Sequence, residues 1–270
     1  MESKQHQEQH GISNLTNHDQ TQQNTQENKN KKSKGSCIFM IRHGERADSS
    51  LDYRTKVEIL HDTDLTDNGW FQAQITGILM KSIIDQAKIE ENPFQEIIFE
   101  SSPFLRCLQT SSGIAKELDI SEIKVNFAFR EYLGKNIFEG NPIGNLFIDV
   151  KDQEYISESL KGMKLAIPEE YLNNKESYIG RFTFPETMLE ARQRITDYTD
   201  QLINEYQQLE KRIMHIICSH GPLVQEFSYN HGGQNGQFSY CQVSAIEIDK
   251  NQCSKKRKLL FDNSVDHLQN

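Results

Sequence analysis

Three short segments hold residues that could act together on a phosphoryl group. Arg42-His43-Gly44-Glu45-Arg46 follows an apolar run at 37–41, Ser101-Ser102-Pro103-Phe104-Leu105-Arg106 follows a second at 96–99, and Ser219-His220-Gly221-Pro222 follows a third at 213–218. Short apolar runs bounded by polar residues read as buried strands, and in open α/β sheets ligands bind at the carboxyl ends of the strands. Each segment therefore carries Arg or His to a place where a ligand is expected. Guanidinium forks match phosphoryl oxygens, imidazole can serve as a nucleophile, and nearby arginine charge keeps an imidazole neutral and able to attack. Gly44 permits a close backbone approach. One such segment is a weak signal, and the convergence of three is a strong one.

The elements needed to hold these segments can be read from the pattern around them. Strands are expected at 37–41, 96–99, 123–127, 213–218 and 243–248, alternating with helical stretches, which predicts an α/β three-layer sandwich with a mostly parallel central sheet and helices on both faces. Thr66 reads as the N-cap of a helix to about residue 85 that carries Trp70, Ala73, Ile75, Leu79 and Ile83. Ser101-Ser102-Pro103 supplies a cap and a first-turn proline for a helix to about 118, and the longest helix is expected from about 185 to 209. Residues 134–184, with scattered Gly, Pro and Asn, a short helical pattern near 154–160 and no convincing strand, read as an insertion beside the site. A stretch at 259–261 could pair with 243–248 as a terminal hairpin.

With these residues in place, the chain resembles the histidine phosphatase superfamily, also called phosphoglycerate mutase-like. The resemblance runs through Arg42-His43-Gly44, Leu65-Thr66-x-x-Gly69-x-x-Gln72-Ala73, Ser101-Ser-Pro-x-x-Arg106, Arg130-Glu131, Pro185-Glu186-Thr187 with Arg192, Ser219-His220-Gly221 and the closing Asp266-His267-Leu268. It implies that His43 is phosphorylated, that Arg42, Arg106 and His220 hold the phosphoryl oxygens, and that Arg46 is a further ligand. It also implies that Glu131 donates a proton, kept protonated by burial or by the charge of the incoming phosphate. Glu139 is a rival donor, because Glu131-Tyr-Leu-Gly134 and Phe138-Glu139-Gly140 fall slightly out of the family's step. Gly221 after His220 resembles the mutase-like branch more than the acid phosphatase and phytase branch. The longer strings R-H-G-E-R-A-D and S-S-P-x-L-R-C-x-Q-T are most similar to the phosphatase domain of ubiquitin-associated and SH3 domain-containing proteins, although neither accessory domain fits in this chain.

The activity so implied is a phosphatase that hydrolyses phosphate monoesters through a phosphohistidine on His43, acting on a phosphorylated small molecule or a phosphoprotein. It needs neither metal nor cofactor, since arginines supply the positive charge. A phosphoglycerate mutase-type phosphotransferase and an inactive module that binds phosphate or a phosphoprotein are the alternatives. Plainer readings also stand for single residues. Arg46 could pair with Glu45 or Asp48, Glu131 with Arg130, and Glu186 and Arg192 could cap and brace the long helix.

Composition bounds the rest. Of 270 residues, 36% are hydrophobic and 26% charged, a soluble globular balance. Residues 1–34 hold seven Gln, five Asn and no Phe, Tyr or Trp, which predicts a disordered leader before a domain at 35–270. The net charge of −9 argues against nucleic acid as the main partner. No apolar run approaches a membrane span, and the amino terminus lacks the core of a secretory signal. Five cysteines without a C-x-x-C pair suggest neither a disulfide framework nor a zinc site, and fit a cytoplasmic chain. Lys255-Lys-Arg-Lys reads as a solvated loop or a nuclear signal, and a homodimer is left open.

Overall fold

Six residues at Cys37–Arg42 form strand β1, and their alternation explains the apolar run: Cys37, Phe39 and Ile41 enter the hydrophobic core on one face of the sheet, Ile38 and Met40 the core on the other. A strand buried on both faces has no polar side to show. The computed structural model describes residues 34–49, 59–234, 236, 238–249 and 257–269. The chain divides between Ser33 and Lys34, so the expected leader, apart from Lys34, lies outside the described residues, and the fold is that of the second unit.

The other strands are β2 (Glu96–Ser101), β3 (Glu122–Val125), β4 (Lys164–Ala166), β5 (Ile213–Ser219), β6 (Val243–Ile248) and β7 (Arg257–Ser264). They form one sheet in the order β4-β3-β2-β5-β1-β6-β7. The five strands from β4 to β1 run parallel, β6 pairs antiparallel with β1, and β7 pairs antiparallel with β6, so the expected terminal hairpin forms. The α-helices are α1 (Asp67–Ile89), α2 (Leu105–Glu117), α3 (Phe147–Val150), α4 (Gln153–Ser159), α5 (Glu169–Asn173), α6 (Lys175–Ile179), α7 (Met188–Gln208) and α8 (Gly221–Asn230), with short 3-10 turns at Ala47–Ser49, Phe127–Phe129 and Asp266–Leu268. Met80 of α1 and Leu105, Leu108 and Ile114 of α2 join the first core. Ile195 and Leu202 of α7 and Leu223 and Phe227 of α8 join the second, giving the three-layer α/β sandwich.

Several expectations are corrected. The 134–184 segment does contain a strand: β4 pairs with β3 from Glu122↔Lys164 to Lys124↔Ala166. Three residues are too few to show a period, and only pairing reveals the strand. Helix α1 has 23 residues and outlasts α7, which has 21 and begins at Met188 rather than 185. Thr187 caps α7 by accepting from the Glu190 amide, with Glu190 bonding back to the Thr187 amide. Helix α2 is not capped by Ser101 or Ser102. Its N-cap position is Phe104, and Asp62 accepts from the Leu105 amide at 2.7 Å. Thr66 does cap α1, accepting from Gly69 N at 3.0 Å. Of Lys255-Lys-Arg-Lys, Arg257 and Lys258 lie in β7 and the first two lie outside the described residues. No helix among the described residues is long and apolar enough to cross a membrane.

Candidate active site

Register brings the three motif segments together. Arg42 on β1 lies level with Ser219 on β5, and Ser101 on β2 lies level with Cys218 on β5. Arg42-His43, Ser219-His220 and Ser101-Ser102 thus leave the carboxyl ends of three adjacent central strands at one height. Gly44 then crosses the start of α1. A Cβ there would meet the Gly69 carbonyl oxygen at 2.6 Å, and one on Gly69 would meet the Glu45 oxygen at 2.3 Å. The close approach that Gly44 allows is therefore to another stretch of backbone.

His43 is buried, and its Nδ1 lies 2.9 Å from the Gly44 carbonyl oxygen. A carbonyl can only accept, so Nδ1 carries the proton and Nε2 keeps its lone pair free. Burial, followed by the charges of Arg106, His220 and Arg42, holds this imidazole well below its usual range. The rings of His43 and His220 stand 5.4 Å apart between centroids.

Buried His220 is engaged at both nitrogens. Nε2 is 2.8 Å from Ser102 Oγ, and Nδ1 is 3.0 Å from Glu131 Oε2. Burial alone would lower its pKa, but the Cys107 sulfur, 3.5 Å from Nε2, and the Glu131 carboxylate outweigh that and raise it. Arg106, which is also buried, donates to the same Glu131 oxygen at 3.2 Å. Burial would raise the Glu131 pKa, yet His220 and Arg106 hold the carboxyl well below its usual range. Burial therefore does not keep Glu131 protonated, contrary to one of the two routes expected from the sequence.

The remaining predicted residues divide. Arg42 comes to the cluster, its guanidinium 4.5 Å from the Tyr240 ring centroid. The Nε atoms of both Arg42 and Arg106 are buried and have no hydrogen-bond acceptor among the described residues. Such groups carry a desolvation cost that an anion would offset. Arg46 is engaged by Asp48, to which it donates from Nε and Nη2 at 2.8 and 2.9 Å. Glu139 is exposed and lines a cavity of about 500 Å³ with His61 and Phe138. Among the described residues it makes no hydrogen bond or ion pair with the cluster. Arg130 pairs with Glu186 rather than Glu131, and Arg192 pairs with Glu226.

Sequence reading missed four contributors. Tyr240 faces Arg42 and lies 5.9 Å from His43, ring to ring. Phe104 is stacked under Arg106 and edge-on to His220. Thr110 accepts from the Gly44 amide at 2.9 Å. Asp62 joins the α2 start to the 134–184 segment by accepting from Leu105 and Phe147 amides. Phe104 stood inside a motif as its variable position and Thr110 closed the string S-S-P-x-L-R-C-x-Q-T, whereas nothing local distinguishes Tyr240 or Asp62. One ligand atom from each of His43, Glu131 and His220 lies within 4.8 Å of the others, so among the described residues these three are also the ones that could hold a metal ion.

A family model described as the histidine phosphatase superfamily (branch 1) matches residues 38–142. No curated protein matches the chain. Among solved structures, phosphoglycerate mutase from Bacillus anthracis str. Sterne is similar with a TM-score of 0.53 and 16% identity, covering 88% of this chain and 96% of that one. Phosphoserine phosphatase from Entamoeba histolytica in complex with 3-phosphoglyceric acid is similar with a TM-score of 0.46 and 20% identity, covering 86% and 99%. The superfamily resemblance read from the motifs is thus met by the family model, and the phosphoglycerate mutase-like fold by the first structure. The finer likeness to ubiquitin-associated and SH3 domain-containing proteins rests on the sequence strings alone.

Proposed function

Taking the match to the histidine phosphatase superfamily as premise, we propose that this chain is a phosphatase that hydrolyses phosphate monoesters through a phosphohistidine on His43. The observation that carries this reading is the state of His43: fixed by Gly44 at Nδ1 and held below its usual range by burial and then by the charges of Arg106, His220 and Arg42, so that Nε2 is a ready nucleophile. Attack forms the Nε2–P bond and breaks the bond from phosphorus to the ester oxygen, which leaves with the electron pair. Arg42 and Arg106 neutralise the charge on the transferring group, and Arg46 joins them once it releases Asp48.

Glu131 fits the role of proton donor by exchange of partners. In the free protein its carboxylate accepts from His220 and Arg106. When phosphoryl oxygens take over those donors, Glu131 loses the interactions that hold its pKa down, and its burial then favours the protonated form. It can pass that proton to the leaving oxygen and later take one from the water that hydrolyses the phosphohistidine. Substrate chemistry is drawn no more finely than a phosphorylated small molecule or phosphoprotein, because the predicted ligands recognise only the phosphoryl group.

The test is p-nitrophenyl phosphate hydrolysis with EDTA present, comparing the native chain with His43→Ala. Turnover that survives chelation and drops by more than about 10⁴-fold on substitution is the expected result. Loss with EDTA, restored by a divalent metal, would instead assign His43, Glu131 and His220 to a metal centre. Interconversion of 2- and 3-phosphoglycerate without net hydrolysis would assign the chain to the mutases.

A further inference from the structure

Behind the site lies a second buried ionic cluster that the phosphatase reading does not use. Glu186, just ahead of α7, receives both forks of Arg194: Nε to Oε1 at 3.0 Å and Nη2 to Oε2 at 2.9 Å. Arg130 Nη2 reaches the same Oε1 at 3.0 Å. Both carboxyl oxygens are thus engaged, and Glu186 and Arg130 are both buried. Two arginines on one carboxylate have a purpose beyond pairing, seen in what else the cluster holds. Arg194 Nη1 donates to the main-chain oxygens of Ala128 and Arg130. Glu186 Oε2 accepts from the Leu133 amide at 3.2 Å, and the Glu186 amide donates to the Leu133 oxygen at 2.9 Å.

These bonds grip the main chain immediately before Glu131 and two residues after it. Between them lie only Glu131 and Tyr132, and the Tyr132 amide donates to Glu131 Oε1. We infer that Glu186 and Arg194 are positioning residues for Glu131: they clamp the 128–133 backbone so that this carboxyl stands where it can serve the leaving group. The clamp touches none of the phosphoryl-binding side chains. Its loss therefore acts first on delivery of the proton, because His43 and His220 keep separate anchors at the Gly44 carbonyl oxygen and Ser102 Oγ. This inference rests on the phosphatase reading, since it presumes that Glu131 is the proton donor.

The chemistry of the leaving group separates this role from simple bracing. A p-nitrophenolate leaves readily without protonation, whereas an alkoxide does not, so a misplaced general acid is felt by alkyl esters far more than by aryl esters. The quantity to compare is kcat/KM, which stops at departure of the leaving group and excludes hydrolysis of the phosphoenzyme. For Glu186→Gln, which keeps the shape but loses the charge, kcat/KM on glycerol phosphate is expected to fall about 10²-fold while p-nitrophenyl phosphate falls less than about threefold. Vanadate inhibition should be unchanged, and Arg194→Lys should give an intermediate loss with the same selectivity for alkyl esters. Equal losses on both esters, or weakened vanadate inhibition, would overturn the inference. If Glu186→Gln does not fold, Arg194→Lys alone decides by the same ratio. Turnover persisting in His43→Ala would count against the phosphatase reading itself, and is read separately from the ester ratio.

Discussion

Strand β5 ends in one histidine–glutamate pair and carries another five residues earlier. His220 Nδ1 lies 3.0 Å from Glu131, and His215 Nε2 lies 3.0 Å from Glu100, with both histidines buried. By residue type, distance and burial of the histidine the two pairs match, but their surroundings do not. The His215 ring is closed on its other nitrogen by the Tyr206 hydroxyl at 2.7 Å, and Glu100 also takes bonds from Tyr198 and Asn126. Neutral donors complete that network inside the sheet layer, beneath α7. The His220 pair sits instead at the strand end, beside Arg106, Arg42 and a second histidine, with guanidinium Nε atoms that lack acceptors among the described residues. A buried acid–base pair is therefore no sign of chemistry in itself. Uncompensated donors at the open end of a parallel sheet are.

The largest effect expected from this contrast is in His220→Gln, which should lower kcat/KM by about 10²–10³-fold in steady-state assays, as loss of a preorganised donor does. A loss below tenfold would put the two pairs in the same class. Next comes pH. Because Glu131 is held ionised in the free protein, the proton for an alkoxide must enter with the substrate. For an alkyl ester, kcat/KM should then fall about tenfold per pH unit above the second phosphate ionisation, near pH 6. Since the His43 pKa is depressed, no loss from protonating the nucleophile is expected until well below its usual range. A profile flat to pH 8 would show that Glu131 is protonated in the free protein.

The smallest effect on turnover belongs to the other pair. Glu100→Gln should leave kcat/KM within about twofold yet cost about 1–3 kcal/mol of stability, measured by urea unfolding, because a buried acceptor network is left incomplete. Burial alone would raise the Glu100 pKa, but His215, Asn126 and Tyr198 together lower it. The stability it contributes is therefore present above the usual carboxylate range and lost as pH falls through the depressed value. The difference between Glu100→Gln and native chain should accordingly narrow in acid.

Why some of this could be read in advance and some could not is a matter of range. The runs at 37–41, 96–99 and 213–218 announce buried strands because both faces of each must be apolar, and Arg42-His43, Ser101-Ser102 and Ser219-His220 stand at their ends by simple succession. Thr66 and the hairpin of β6 and β7 are likewise local. The three-residue β4 owes its existence to β3, and the cap of α2 comes from Asp62, more than forty residues away, so neither leaves a mark in its own neighbourhood. Tyr240 reaches Arg42 only because β6 pairs with β1.

The amino-acid order by itself determined the fold class and brought Arg42, His43, Arg106 and His220 within a few positions of strand ends, and the family resemblance singled out His43 among them as the candidate nucleophile. The tertiary structure alone decided between partners of like chemistry: Glu131 over Glu139 beside His220, and Asp48 over Glu45 as the partner of Arg46. Charge pairing extends only a few ångströms, and which charges come within that range is set by how strands register and helices pack, over separations that no local pattern records.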